Sequence, residues 1–217
     1  MELKKVECPV CGKNMTDSIS YTKIKIERAT SYEKCYRKCV EHEVGCSNGK
    51  KPTFIFKNYL ENIPENVRES LNDVLNKSIN IKNRENKKNK IGFSTSEDAL
   101  SWVVFRYFQK KGALNSIIES IVGSSAGETK ISYWGVRVDN DYTTHNKELI
   151  TILRSLKENE SYFSEPDVIL EDDKNVLFFE AKLNSSNEKS NEKNKKDKYY
   201  NDDHFNSESD FDKCMEY

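Results

Sequence analysis

Apolar positions change period several times along this chain, and each change marks an element. Thr53-Phe54-Ile55-Phe56 is a short strand pattern. Pro64 suits the first turn of a helix, and Val67, Leu71, Val74 and Leu75 then recur at helical spacing. The strongest helical pattern covers residues 94–111. Ser94-Thr95-Ser96 can cap it, Glu97 and Asp98 suit its first turn, and Leu100, Val103, Val104, Tyr107 and Phe108 form an apolar face. Residues 114–122 predict a short helix, 123–130 a loop, 131–138 a strand and 145–158 a helix with Leu149, Ile152, Leu153 and Leu156 on one side. Two strands follow at 167–170 and 176–183, joined by the polar turn 171–175. Residues 184–198 are low in complexity, with SNEK in tandem, and read as a solvated loop. The aromatic residues of the tail, from Tyr199 to Tyr217, could begin another helix.

The 217 residues suggest one main domain plus a small module, at about 150 residues per domain. Charged residues make up 33%, against about 25% in an average globular protein. Even so, 11 Tyr, 10 Phe and 2 Trp are too many for a wholly disordered chain. No apolar run approaches the ~18 residues of a membrane helix. The first eight residues show no apolar signal region, so a cytoplasmic protein without a membrane partner is expected. Charge is unevenly distributed. Residues 1–92 hold 19 Lys+Arg and 12 Asp+Glu, a net +7, and residues 93–217 hold 16 and 24, a net -8. A basic half joined to an acidic half suggests a part that binds a polyanion. The densest basic run, 77–90, has six basic residues and one acid, and reads as a solvated face or as an arm contacting phosphates.

Five of the six cysteines lie in the first 52 residues. Cys8-Pro9-Val10-Cys11-Gly12 places two thiolates on one tight turn, where both can face one tetrahedral ion. A second pair must close the site. Cys35 and Cys39 share a face if their stretch is helical, so Cys8, Cys11, Cys35 and Cys39 are expected to hold a structural Zn²⁺. Cys46 is the first alternative and His42 a rival ligand. Disulfides are the blander reading of an even cysteine count, but cytosolic thiols stay reduced. A thioredoxin-like redox pair would need a βαβ setting that the surrounding pattern lacks.

A second constellation lies near the C-terminal side. Asp167 opens one short strand, Glu180 lies in the next, and Lys182 shares a face with Glu180 because side chains alternate. If the strands pair as a hairpin, Asp167 comes alongside Glu180. Carboxylates suit Mg²⁺, which polarises a phosphodiester and acidifies a bound water, while a lysine can orient that water and offset transition-state charge. The plain alternative is an exposed Glu-x-Lys ion pair worth ~0–1 kcal/mol. Apolar neighbours on both sides of Val176-Leu177-Phe178-Phe179-Glu180-Ala181-Lys182-Leu183 instead predict a central strand covered on both faces, where unpaired charge is costly.

Pro166-Asp167 followed by Glu180-Ala181-Lys182 resembles the signature of the PD-(D/E)XK nuclease superfamily. The resemblance covers about residues 93–183. It implies a restriction-endonuclease-like core, an α/β fold of the α+β type with a mixed four-stranded sheet flanked by helices, behind a small zinc-ribbon-like module. It also implies DNA as partner and Mg²⁺ (or Mn²⁺) as cofactor. Asp167 and Glu180 would hold the ion, Lys182 would position the water, and Glu97 on the preceding helix would assist. Glu97 also fits a capping box with Ser94. The superfamily core ends with a further helix and strand, and the residues up to Tyr217 leave barely room for the helix, so either the sequence is cut short or these last elements are reduced.

The expected organisation is a zinc module at 1–52, a helical and basic connector at 53–92 and a nuclease domain at 93–217. Three functions follow: a metal-dependent DNA endonuclease, a non-catalytic zinc-containing nucleic-acid binder, and a zinc-stabilised interaction adaptor. Cleavage of two strands would call for a homodimer. The Gly-rich stretch 123–130 lacks the Gly-Lys-Ser/Thr ending of a phosphate loop, and no Gly-x-Ser-x-Gly elbow exists. Trp102 and Trp134 are expected in the core.

Overall fold

The computed structural model describes residues 5–17, 29–47, 53–139 and 142–183. The chain divides into two compact units, Met1–Arg68 with Lys87–Ala99, and Glu69–Asn86 with Leu100–Tyr217. The expected borders differ from this because residues 53–92 are not a separate connector. Phe54–Phe56 pairs with the cysteine-bearing strands and Ile55 bridges Phe93, which draws both flanks into the first unit.

In the first unit, β1 (Thr16–Asp17), β2 (Arg37–Cys39), β3 (Val44–Cys46) and β4 (Phe54–Phe56) form an antiparallel sheet in the order β1-β2-β3-β4. One small core gathers Cys8, Met15, Cys39, Val44 and Cys46, with Phe54 and Phe56 packed against it. Another joins Ala29, Cys35 and Ile55, with Tyr32 and Phe93 at its edge. Gly45 makes this close packing feasible, since a Cβ there would lie 2.4 Å from Cys35 Sγ. The run 77–90 is not the bare comb of charges its composition suggests. Lys87 is buried and pairs with Asp98 at 3.3 Å. Lys77 pairs with Asp73 at 2.9 Å, and Arg84 Nε donates to the Ser78 carbonyl.

The helical pattern after Pro64 breaks in two. A 3-10 turn, Glu65–Val67, precedes α1 (Leu71–Lys77), because Ser70 takes a left-handed conformation at φ 66° between them. Val67, Leu71, Val74 and Leu75 are all buried, so the apolar spacing served packing although the helix is interrupted. The next helices are α2 (Arg84–Ile91), α3 (Glu97–Lys110) and α4 (Leu114–Val122). α4 ends at Gly123, whose φ of 83° suits a C-terminal cap.

The second unit holds a five-stranded sheet of β5 (Lys130–Tyr133), β6 (Val136–Val138), β7 (Thr143–His145), β8 (Val168–Glu171) and β9 (Val176–Phe179). The stretch 131–138, expected as one strand, is a hairpin. Trp134 and Gly135 turn it with φ of 49° and 75°, the left-handed pair of a type I′ turn. α5 (Lys147–Ser155) is capped by Asn146, which accepts from the Leu149 amide at 2.9 Å. The strand order is β7-β6-β5-β8-β9 and every ladder is antiparallel. The architecture is therefore α+β with two antiparallel sheets. A parallel strand of the kind a mixed sheet requires is not among the described residues.

Opposite faces of this sheet are covered by different helices. Tyr133, Val168 and Phe179 are in register, and α3 packs on them through Trp102–Tyr133 at 4.6 Å and Phe105–Phe179 at 4.8 Å. On the alternate face, Ile169 joins Leu149 and Leu153 of α5, with Ile79 and Phe163. Trp102 and Trp134 are fully buried, as expected for core residues. Two expectations are reversed. β9 is the edge strand among the described residues, with Val176 and Phe178 exposed, so it is not central. Four of the five residues of the expected apolar face of α3 also point outward: Leu100, Val104, Tyr107 and Phe108 are exposed and Val103 is half-buried, whereas Ala99, Ser101, Trp102 and Arg106 are buried.

The buried Lys87–Asp98 pair predicts a clear asymmetry in stability. Lys87→Ala strands a carboxylate and should destabilise the protein by about 3 kcal/mol. The double replacement Lys87→Met with Asp98→Leu should recover most of that loss. Calorimetric melting of the three proteins checks it, and equal melting temperatures for wild type and Lys87→Ala would refute the pair's importance.

Candidate metal centre and carboxylate hairpin

The first knuckle is built by backbone hydrogen bonds. The Gly12 amide donates to the Cys8 carbonyl at 2.9 Å, and the Cys8 amide donates to the Lys13 carbonyl at 2.9 Å. Gly12 closes this turn at φ +70°, a conformation costly for any residue with a Cβ. The Val10 amide then points at Cys8 Sγ, 3.4 Å away. Both thiols leave the turn on one side.

The second knuckle is Cys39-Val40-Glu41-His42, at the hairpin between β2 and β3. Cys8, Cys11, Cys39 and His42 bring one donor atom each to within 4.8 Å of one another, the one such group of three or more among the described residues. Cys11 Sγ lies 4.0 Å from Cys39 Sγ, and Cys39 Sγ lies 3.5 Å from His42 Nδ1. Zn–S and Zn–N bonds of 2.3 and ~2.05 Å at the tetrahedral angle require about 3.8 Å between sulfurs and about 3.5 Å from sulfur to nitrogen. The donor set and its spacing thus fit a metal ion such as zinc. Lys13 and Glu41, one at each knuckle, pair at 2.8 Å across the two turns.

Cys35, expected as a ligand, is elsewhere, and His42 takes its place. A spacing of four brings two residues within about 6 Å on a helix, but about 13 Å along an extended chain. Cys35 follows a 3-10 turn, Tyr32–Lys34, and leads into β2, so the helical premise fails. Its thiol is completely buried against Ile55 and Ala29, with the Ser31 carbonyl 3.5 Å away. Cys46, the alternative, is also buried and contacts the Ser47 carbonyl instead of joining the group. The signal that identifies His42 is its spacing: Cys39-x2-His42 repeats the spacing of Cys8-x2-Cys11.

Electrostatics separate the thiols. Desolvation pushes Cys8 upward, but amide hydrogen bonds from Cys11 and Val10 and contacts from Cys39 and Cys11 bring it below its ordinary value. Desolvation dominates at Cys39 and keeps it raised despite the His42 amide. Cys35 is pushed up to about 11, first by burial and then by the neighbouring Cys46.

The carboxylate constellation sits at the end of the β8–β9 hairpin. Val168 pairs with Phe179, so the next step of the same register sets Asp167 opposite Glu180. Asp167 Oδ2 accepts from the Ala181 amide at 2.8 Å, and Lys182 Nζ donates to Glu180 Oε1 at 2.6 Å. The hairpin therefore gathers Asp167, Glu180 and Lys182. Glu180 and Lys182 are exposed, with side-chain exposures of 58% and 37%, so neither bears the burial cost expected of a central strand. At the far end, Asp172 fixes the register. Its carboxylate accepts from the amides of Ala126, Lys174 and Asn175 at 2.7–2.9 Å. Desolvation opposes its ionisation, but these amides and the Asn175 side chain hold it down at about 2.

Glu97 is the first residue of α3. The N-cap is Ser96, two residues after the expected Ser94. Ser96 Oγ caps the helix by accepting from the Ala99 amide, and Ser94 is tied to Phe54 of β4 by hydrogen bonds in both directions. The tail from Tyr199 to Tyr217 and the SNEK repeat lie outside the described residues.

Two predictions follow from the thiols. Zinc titration of the metal-free chain should show one tight site, unaffected by Cys35→Ser and weakened at least tenfold by His42→Ala or Cys39→Ser. Tight binding by His42→Ala together with loss in Cys35→Ser would reverse the ligand assignment. Cys35 stabilises the fold as a neutral thiol, since its acidity is lower folded than unfolded. That contribution is whole below pH ~9 and disappears as pH rises towards about 11. The melting-temperature gap between wild type and Cys35→Ala should therefore narrow from pH 8 to pH 11, whereas a gap that stays constant would contradict the assignment. Comparisons of the chain with protein-family models, with curated proteins and with solved structures found no match.

Proposed function

We propose that the protein is a metal-dependent endonuclease that hydrolyses DNA phosphodiester bonds at the open end of the β8–β9 hairpin. The observation that carries this reading is the register: Asp167 is set across from Glu180, and Lys182 is bonded to Glu180 at the same place. Asp167 and Glu180 have the hard oxygen donors that Mg²⁺ prefers, and Glu180 is exposed while Asp167 is half-buried, which leaves room for a phosphate. When bound there, Mg²⁺ (or Mn²⁺) would supply Lewis-acid polarisation and a more acidic water. Lys182 would orient the attacking water or offset charge on the phosphate, for which it must part from Glu180. The Ala181 amide holds Asp167 in place. Glu97 is kept as the assisting acid by the superfamily resemblance alone. Zn²⁺ at Cys8, Cys11, Cys39 and His42 would stabilise the first unit and have no part in the chemistry.

A second reading has its own support. The cysteine–histidine group is the more convergent of the two constellations, which favours a zinc-containing nucleic-acid binder without catalysis. Supercoiled plasmid with Mg²⁺ discriminates between the readings. The endonuclease should nick it, and Asp167→Ala and Lys182→Ala should each lower the rate at least about 100-fold while retaining DNA binding. Salt-sensitive binding without nicking by any of the three would establish the second reading instead.

A further inference from the structure

The two edges of the five-stranded sheet are finished differently. β7, at one edge, is closed by α1: Lys77 Nζ donates to the Thr143 carbonyl at 3.1 Å, and His145 Nε2 donates to the Lys77 carbonyl at 2.9 Å. β9, at the other edge, pairs with β8 alone among the described residues. An open edge is a template for another strand, and natural edges are blunted by charge, proline or a bulge. Val176-Leu177-Phe178-Phe179 has no charge and no proline, and its ladder with β8 runs without a bulge. Val176 and Phe178 are 56% and 60% exposed.

Exposure alternates along this segment. Lys174, Val176, Phe178 and Glu180 are exposed, while Asn175, Leu177 and Phe179 are half-buried, with Phe179 against Phe105 of α3. The exposed row therefore reads cation, apolar, apolar, anion. Read backwards, it is its own complement. Two copies that join β9 edge to edge in antiparallel fashion make one continuous sheet about a twofold axis normal to it. Such an axis keeps each face of the sheet on its own side, so residues that stand opposite each other lie an even number of positions apart in the sequence. Two registers then pair three strand residues of each copy, one centred on Leu177 and one on Phe178. The Phe178 register sets Lys174 against Lys182 and Val176 against Glu180. The Leu177 register sets Val176 against Phe178, Lys174 against Glu180 and Asp172 against Lys182, each of them twice. Opposite charges across a ladder stabilise it and like charges destabilise it, which selects the Leu177 register.

We propose that β9 is a homodimer interface, on which a second copy of the chain lays its own β9 antiparallel about a twofold axis at Leu177. Lys174 of each copy then comes beside Glu180 of the other, so each carboxylate hairpin gains a cation from the second copy. The assignment goes beyond the hydrolytic reading and does not rest on it, since it needs neither metal nor cleavage.

Strands this short bury less than the about 1,200–2,000 Å² of a stable complex, so the dimer is weak and is sought at high concentration. Sedimentation of the full chain up to about 1 mM tests it. Association to a dimer is expected, and Phe178→Lys, which plants an unpaired charge in the middle of the seam, should abolish it. Lys174→Glu alone and Glu180→Lys alone should each weaken it about tenfold, because each sets like charges opposite each other twice. An equimolar mixture of these two variants should associate again, since every contact between positions 174 and 180 in the mixed dimer joins opposite signs. Regained association also shows that both variants are folded. A wild-type chain that stays monomeric would overturn the proposal. So would a dimer that Phe178→Lys leaves intact, or a mixture that associates no better than the single variants. The readout is mass and not cleavage, so each of these failures leaves the hydrolytic reading standing.

Discussion

The register of β8 against β9 is the constraint on which the grouping of Asp167, Glu180 and Lys182 depends. A shift of one residue would turn every side chain of β9 to the other face and carry Glu180 and Lys182 away from Asp167. Two features resist such a shift. Asp172 clamps the turn by accepting three amides, and Phe179 is held in contact with Phe105 of α3. Because β9 is an edge strand among the described residues, it is the turn and this one ring contact, more than neighbouring strands, that keep the carboxylates together.

The first unit solves a different problem. Its strands are two to three residues long, and its apolar clusters are small. Two turns of identical spacing converge on one point, and the small core that surrounds Cys8 and Cys39 also contains the sheet residue Val44. The donors that could hold a metal ion and the strand packing therefore share residues, so a change at Cys8 or Cys39 also touches the core beside the sheet. Cys35 and Cys46 belong to the packing side of this arrangement, where a thiol acts as a small apolar group.

Much of this was legible in the chain. α4 follows its apolar pattern to the residue, α3 and α5 lie within the stretches that predict them, and the Asp167–Glu180 juxtaposition follows from alternation along two paired strands. What misled has definite physical causes. Cys35 looked like a ligand because a spacing of four implies adjacency only on a helix. The turn in 131–138 was hidden because it has a Trp where Asn or Asp would normally announce it. β9 looked central because exposed Val176 and Phe178 are as apolar as buried ones. The stripe on α3 was visible, but periodicity reports that a face is apolar and is silent on which neighbour it meets.

The Trp134–Gly135 turn has a consequence for how the second unit holds together. A left-handed backbone at a bulky residue costs about 1 kcal/mol, so this corner has little tendency to close by itself. Its offset comes from Trp102 of α3, stacked on Trp134 at 6.3 Å with the rings 15° from parallel. Tight hairpins ordinarily nucleate locally. This one is also held by a ring on a helix earlier in the chain, so the closed turn and the packed α3 support each other.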